Sequence, residues 1–336
     1  MIHQIADYLN ENRASLGLPP GLQSADLSFF KAGGNPWEKG RINFLVFSKQ
    51  DAEPLLFIKS MRGKDPDESL RREYHMIQKL AACPELQIHL PLPVQMITLA
   101  GHDVMLQKAC HGERMLASLT QSPFLLFQQN RIRENFSRSL EFVTKLNTVA
   151  QTRITPDEFD HAVLNPFLDF YEDYGCSGSD KVMLSELLEK ICRIIGNNPV
   201  CTPLHGDYSA TNIFIDSGNQ IKIIDWETAA ENSLPFLDLF YFMSKYVHNL
   251  KIRPRNRWQR VQETYFGKSW LSHLIRETVH QYCEKTGLSR ELGQAIFPLH
   301  FLNKARIKYS MRGKEQTQPW INLFEYSMKN LDALCF

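Results

Sequence analysis

The chain has 336 residues, 43% of them hydrophobic, with 38 Lys and Arg against 37 Asp and Glu. That length can bury a substantial core and hold two domains, and the balanced charge offers no general basic excess for nucleic acid. No apolar run reaches the roughly 18–20 residues of a membrane span.

From the start of the chain, Met1 to Asp7 has neither a basic segment nor an apolar core, so it reads as a short amphipathic helix rather than a secretory leader. Gly33-Gly34-Asn35-Pro36 through Gly40-Arg41 could cover phosphates, because glycines let backbone N–H groups approach phosphate oxygens closely. An ordinary flexible turn is the other reading, since this is not G-x-G-x-x-G. Nor does the chain contain G-x-x-x-x-G-K-[ST], which removes a Walker-type site.

Residues 42–47 and 55–59 are apolar runs around the polar turn Ser48 to Pro54, the pattern of paired strands. Lys59 closes the second run and shares a face with Leu55 and Phe57 by period two. Leu70, Glu73, Ile77 and Leu80 then recur at spacings of three and four, on one helical stripe. A carboxylate within an apolar stripe is costly unless a cation meets it. Lys59 is the candidate partner, with Glu68 the nearest competitor to Glu73. The alternative leaves Lys59 in solvent and Glu73 at the edge of its stripe.

Val104 to Leu106 reads as a further strand, followed by Gln107, Lys108 and Ala109. Phe136, Leu140, Val143 and Leu146 mark a long helix. Leu184, Leu187, Leu188, Ile191 and Ile195 mark another, with Asp180 as a possible cap and Gly196-Asn197-Asn198-Pro199 as its end.

The densest chemistry follows the strand pattern Val200 to Leu204. His205-Gly206-Asp207-Tyr208-Ser209-Ala210-Thr211-Asn212 has the spacing H-x-D-x-x-x-x-N, and Ile223-Ile224-Asp225-Trp226-Glu227 comes soon after. Phosphoryl transfer needs a carboxylate to orient the attacking hydroxyl, plus an amide and a second carboxylate for Mg²⁺. Ile213 to Ile215 and Ile221 to Ile224 flank the turn Asp216-Ser217-Gly218-Asn219, a hairpin pattern. Folding back on itself, the hairpin should bring its outer ends, Asn212 and Asp225, together. Two hard oxygen donors there suit Mg²⁺, which leaves its other positions to water and phosphate.

The segment His205–Glu227 resembles the aminoglycoside phosphotransferase and choline kinase family of small-molecule kinases, which share a protein-kinase-like fold. The resemblance implies Asp207 as catalytic base, Asn212 and Asp225 as metal ligands, and Asp238 as support for the catalytic loop. His205 is expected to hold that loop by hydrogen bonds. The resemblance also implies ATP with Mg²⁺, Lys59 and Glu73 positioning phosphates, Gly33 and Gly34 covering them, and the backbone from Gln107 to Ala109 meeting the adenine edge. Leu146-Asn147 departs from the Leu-His that many members carry, which bears on the acceptor side.

The expected fold is therefore α+β and bilobal: an N-lobe of sheet and one helix over 1–106, a hinge at 107–112, and a helical C-lobe over 113–336. Aromatic residues at helical spacing after Leu237, such as Phe240, Tyr241, Tyr265, Phe297, Phe301 and Trp320, are expected mostly in its core. The basic cluster Lys251 to Arg257, and Glu227 and Glu231, read as solvated loop charges, though the two glutamates could instead attract a cationic acceptor. Seven scattered cysteines without metal spacing suit free thiols in a reducing cytoplasm.

The expected activity is transfer of the ATP γ-phosphate to a hydroxyl of a small molecule: an amino alcohol, sugar, aminoglycoside-like compound or glycan precursor. A catalytically silent nucleotide-binding protein is the competing class. A protein kinase fits less well, because Ser209 stands where those enzymes carry a Lys after the base, and neither Asp-Phe-Gly nor Ala-Pro-Glu occurs.

Overall fold

The computed structural model describes residues 2–34, 40–49, 51–61, 63, 68–117, 128–175, 178–250, 256–334 and 336. Most of the glycine-rich segment (35–39), most of the basic cluster (251–255) and Cys176 lie outside them. The first half of the chain forms α1 (Ile2–Glu11), β1 (Leu27–Gly34), β2 (Arg41–Ser48), β3 (Pro54–Met61), α2 (Glu68–Ala81), α3 (Pro84–Gln87), β4 (Val94–Leu99), β5 (His102–Lys108), β6 (Glu113–Arg114), α4 (Gln129–Val149), β7 (Thr152–Arg153), α5 (Pro156–Phe159) and α6 (Asn165–Tyr174). After these come α7 (Gly178–Ile195), β8 (Val200–Leu204), β9 (Ile213–Ile215), β10 (Ile221–Ile223), β11 (Ala230–Ser233), α8 (Leu237–Asn249), α9 (Arg257–Phe266), α10 (Trp270–Thr286), α11 (Arg290–Arg312) and α12 (Lys314–Lys329). They divide into two compact units, Met1–Arg114 with Ile213–Thr228, and Met115–Asn212 with Ala229–Phe336.

The first unit is built on an antiparallel five-stranded sheet in the order β1-β2-β3-β5-β4. Period-two alternation splits its residues between faces. Phe44, Val46, Leu56, Ile58, Val104 and Leu106 are buried with Ile5 and Leu9 of α1, so the N-terminal helix is amphipathic, as expected. Lys59 lies on the opposite face, paired in register with Asn43 and Met105. Helix α2 buries Leu70, Glu73, Met76, Ile77 and Leu80.

Two details differ from expectation. Strand β5 does not stop at Leu106: Gln107 pairs with Phe57 on one side and Val94 on the other. A central strand finds backbone partners on both edges, and that pairing outweighs the break in apolar pattern. In addition, the 213–228 hairpin groups with the first unit, not with the helices. β9 pairs with β6, and the Ile223 N–H donates to the His89 carbonyl at 2.8 Å. Gly112 permits this approach, for a Cβ there would sit 2.1 Å from the Ile215 carbonyl oxygen.

The second unit is mostly helical, with a small sheet ordered β11-β8-β7. Helix α7 begins at Gly178, which puts Asp180 inside its first turn rather than at the cap, and Gly196 ends it with φ +74°. Phe240, Tyr241, Tyr265, Phe297, Phe301 and Trp320 are all buried. Among the described residues, no helix is long and apolar enough to cross a membrane.

Candidate functional site

In the first unit, the Lys59 ammonium lies 2.8 and 2.7 Å from the two Glu73 carboxylate oxygens and 2.8 Å from Asp225 Oδ1. Lys59 is 4% exposed and Glu73 fully buried. The strand places the lysine and the helical stripe places the glutamate, so Glu73 rather than Glu68 is its partner. Burial pulls the Lys59 ammonium down, but Glu73 and Asp225 outweigh that and hold it above its ordinary range. Burial likewise pushes the Glu73 carboxyl up, against the pull of Lys59.

The hairpin ladder ends at Ile213 opposite Ile223, and Asp225 follows two residues later with φ +70°. A non-glycine residue in the left-handed region is uncommon and is held there only by its surroundings. Here the next N–H, from Trp226, donates to Glu73 Oε1 at 3.3 Å, and Asp225 itself meets Lys59. Glu227 is not a solvated loop charge, because it forms an ion pair with Arg41, whose guanidinium also reaches Ser69. Glu231 lies in β11 of the second unit.

Gly33 and Gly34 close β1, paired with Asn43 and Ile42 across a bulge after Lys31. Gly33 has φ +123° with open space where a Cβ would be. Gln107 is buried, and the Ala109 N–H donates to the Leu55 carbonyl at 3.2 Å. On the Lys59 face, two buried amide oxygens, Asn43 Oδ1 and Gln107 Oε1, have no hydrogen-bond partner among the described residues. Orphaned buried acceptors of this kind call for an explanation, such as a ligand or water.

In the second unit, the loop 205–212 is fixed from behind. Asp238, in the first turn of α8, accepts from the His205 N–H at 2.6 Å and the Gly206 N–H at 3.0 Å. Burial pushes the Asp238 carboxyl up to about 7, opposed by those two donors and Lys304. His205 is buried, and its Nδ1 accepts the Asp207 N–H at 3.2 Å. Asn212 Nδ2 donates to the Asp207 carbonyl at 3.0 Å and to Asp207 Oδ2 at 3.2 Å. Ser209 bonds Thr211 at 2.7 Å, inside the loop. Asn147, the departure from Leu-His, donates to the Tyr282 hydroxyl at 3.0 Å.

Two residues that meet Asp207 are absent from the sequence reading as site residues. The Tyr241 hydroxyl donates to Asp207 Oδ1 at 2.8 Å, and the Lys304 ammonium forms an ion pair with the same oxygen. Lys304 also lies 3.4 Å from the Gly206 carbonyl and 4.4 Å from the Tyr241 ring centre. Burial alone would raise the Asp207 carboxyl, but Lys304, Tyr241 and His205 hold it below the usual carboxylate range. A signal for Lys304 exists: Phe297, His300, Phe301 and Lys304 recur at spacings of three and four, a charge in an apolar stripe like Glu73.

Among the described residues, no group of three or more His, Cys, Asp and Glu side chains could hold a metal by itself. Mg²⁺ does not need one, since it is usually held by one or two carboxylates together with substrate phosphates.

Solved structures share this fold at low identity. A putative aminoglycoside phosphotransferase from Ralstonia eutropha JMP134 matches with a TM-score of 0.57 and 13% identity, covering 99% of this chain and 96% of that one. The choline kinase LicA from Streptococcus pneumoniae matches with a TM-score of 0.53 and 14% identity, over 98% of this chain and 99% of that one. The GDP and kanamycin complex of APH(2")-IIia matches with a TM-score of 0.52 and 14% identity, over 96% and 99%. No curated protein sequence matches the chain. A family model described as the phosphotransferase enzyme family matches residues 36–274, more than half of the sequence, and the chain belongs to that family.

Proposed function

We propose that this protein is an ATP-dependent small-molecule kinase that moves the γ-phosphate to a hydroxyl group. The observation that carries the reading is the buried Lys59 ammonium held between Glu73 and Asp225, a cation kept for phosphate at a cost the fold must offset. Gln107 and Asn43 support a ligand on the same face of the sheet, because their buried amide oxygens lack protein partners. A nucleobase and ribose carry the donors such acceptors need. The adenine edge would meet the backbone from Gln107 to Ala109 through groups other than the Ala109 N–H. Gly33 and Gly34 would lie over the phosphates.

The donor chemistry also fits Mg²⁺. Asn212 spends its amide nitrogen on Asp207 and so has its amide oxygen to offer, and Asp225 supplies a carboxylate. Both are hard oxygen donors, and the hairpin that separates them in sequence pairs Ile213 with Ile223. When bound, Mg²⁺ neutralises charge on the β- and γ-phosphates. Lys59 then orients the phosphates, Glu73 orients Lys59, and Asp207 accepts the proton of the attacking hydroxyl. Asp238 and His205 keep the loop that carries Asp207 in place.

The acceptor belongs to the class of hydroxyl-bearing metabolites: amino alcohols, sugars, aminoglycoside-like compounds or glycan precursors. The kanamycin- and choline-directed neighbours support that class. Free thiols at Cys83, Cys110, Cys192, Cys201 and Cys283 support a cytoplasmic setting. An ADP-release screen across a hydroxyl-bearing panel, with mass spectrometry of products, tests the proposal. A product heavier by one phosphoryl group is expected. Nucleotide binding without turnover on any acceptor would favour the silent alternative, and no thermal shift with millimolar Mg²⁺-ATP would overturn both.

A further inference from the structure

Burying an ammonium group costs several kcal/mol unless close partners replace its water. Lys304 is only 2% exposed, and its partners are Asp207 Oδ1, the Gly206 carbonyl and the face of Tyr241. A substitution such as Met would fill the same space without that cost, so the charge needs a reason beyond packing.

Lone-pair counting on Asp207 supplies one. An ionised carboxylate offers about four acceptor positions, two on each oxygen. The Tyr241 hydroxyl and the Lys304 ammonium occupy Oδ1, and Asn212 Nδ2 occupies one position on Oδ2. Among the described residues, that leaves one position, on Oδ2. The position two residues after Asp207, where protein kinases carry a lysine, holds Ser209, and Ser209 turns to Thr211 instead.

We infer that Lys304 is a positioning residue which, with Tyr241, anchors Oδ1 of Asp207 and so presents Oδ2 to the acceptor hydroxyl. This rests on the kinase reading above. In the step it serves, the acceptor oxygen bonds to the γ-phosphorus while the bond from phosphorus to the β–γ bridging oxygen breaks. The bond pair leaves on ADP, and the acceptor proton passes to Oδ2. Helix α11 thus supplies the loop's cation from 97 residues downstream.

The test compares Lys304→Met, Lys304→Arg and Tyr241→Phe with wild type, reading kcat and the KM for ATP separately. A misplaced reacting group costs up to about 10²-fold, so Lys304→Met should lower kcat by about 30- to 100-fold while the ATP KM changes less than about twofold. Lys304→Arg, which keeps the charge, should recover part of the loss. Tyr241→Phe keeps the ring beneath the ammonium and removes only the second anchor, so it should cost about 3- to 10-fold in kcat. Losses from Lys304→Met and Tyr241→Phe should be non-additive when combined.

A folded Lys304→Met variant with near wild-type kcat would overturn the inference alone. So would a variant in which kcat, ATP KM and melting temperature all deteriorate together with no rescue by Arg. If Lys304→Met does not fold, Tyr241→Phe decides: unchanged kcat overturns the anchoring of Oδ1. Wild-type protein without turnover on any acceptor would instead sink the kinase reading, and this inference with it.

Discussion

Two buried lysines, Lys59 in the first unit and Lys304 in the second, solve the same problem in different ways. Lys59 is shared by two carboxylates, Glu73 and Asp225, so its cluster carries one net negative charge. Lys304 meets one carboxylate, Asp207, and completes its shell with a carbonyl and an aromatic face. That cluster is neutral. Under the proposed function, a surplus carboxylate would suit a group that meets a divalent cation, and a neutral cluster one that meets an uncharged hydroxyl.

The sharpest way to break this contrast is to remove the surplus charge. Asp225→Ala should abolish Mg²⁺-dependent turnover, a loss of more than about 10³-fold in kcat. The remaining Lys59–Glu73 pair is still balanced, so the melting temperature should move little. Turnover at saturating Mg²⁺ together with a thermal melt checks both parts. Substantial residual activity would remove Asp225 from the metal role. Collapse of the fold would show that the third charge is structural.

On the neutral side, Asp207→Asn preserves shape but gives Oδ1 or Oδ2 a donor where an acceptor is needed. General-base assistance contributes about 10²–10⁴-fold, and kcat should fall by that order with little change in ATP affinity. A variant that keeps more than about a third of wild-type turnover would exclude Asp207 as base. It would leave Lys304 paired to a carboxylate with no chemical duty.

The two clusters also differ in how far the sequence reveals them. Lys59 and Glu73 are 14 residues apart, on adjacent elements whose periodicity is plain, so the pair could be proposed from pattern alone. The loop 205–212 and the hairpin were legible because their residue types and spacing are local. Lys304 carries the same mark as Glu73, a charge in an apolar stripe, but its partner is 97 residues away. No periodicity connects a helix to a distant loop. Tyr241 was visible as a core aromatic, and only packing shows where its hydroxyl goes. The strand expected to end at Leu106 runs on through Gln107 for a related reason: two neighbouring strands, which no local pattern reveals, keep that backbone in the sheet.

The first cluster can be dissected by stability. Lys59→Met leaves two carboxylates facing each other without their cation, the situation that typically costs about 3–5 kcal/mol. Glu73→Gln should cost less, because Asp225 still neutralises Lys59. Urea denaturation at pH 7 separates the cases, and equal losses would show that Asp225 does not share the charge. In kcat/KM, the effects of Lys59→Ala and Glu73→Gln should be non-additive, since either breaks the same unit. Strictly additive losses would mean the two do not act together.

The smallest effect comes from a residue one turn from Lys304. His300 lies on the same helix and is equally buried, yet no carboxylate among the described residues bonds it. Its Nε2 bonds Ser244 at 2.8 Å and its Nδ1 contacts the Phe297 carbonyl. Burial pushes the imidazole down to about 3. Unfolded His300 takes up a proton near pH 6.5 and the folded form does not, so between pH 6.5 and about 3 the unfolded state binds more protons. Stability from this residue is therefore present at neutral pH and declines as the solution is acidified, by up to about 1.4 kcal/mol per pH unit. His300→Gln should lose a constant amount from its broken contacts, but its stability should fall less steeply on acidification. Urea midpoints measured from pH 7.5 to 4.5 should show the two curves converging below pH 6.5, by about 1 kcal/mol per unit. Parallel curves would mean that His300 titrates normally in the fold. The contrast with Lys304, whose buried side chain is met by the Asp207 carboxylate, would then fail on this helix.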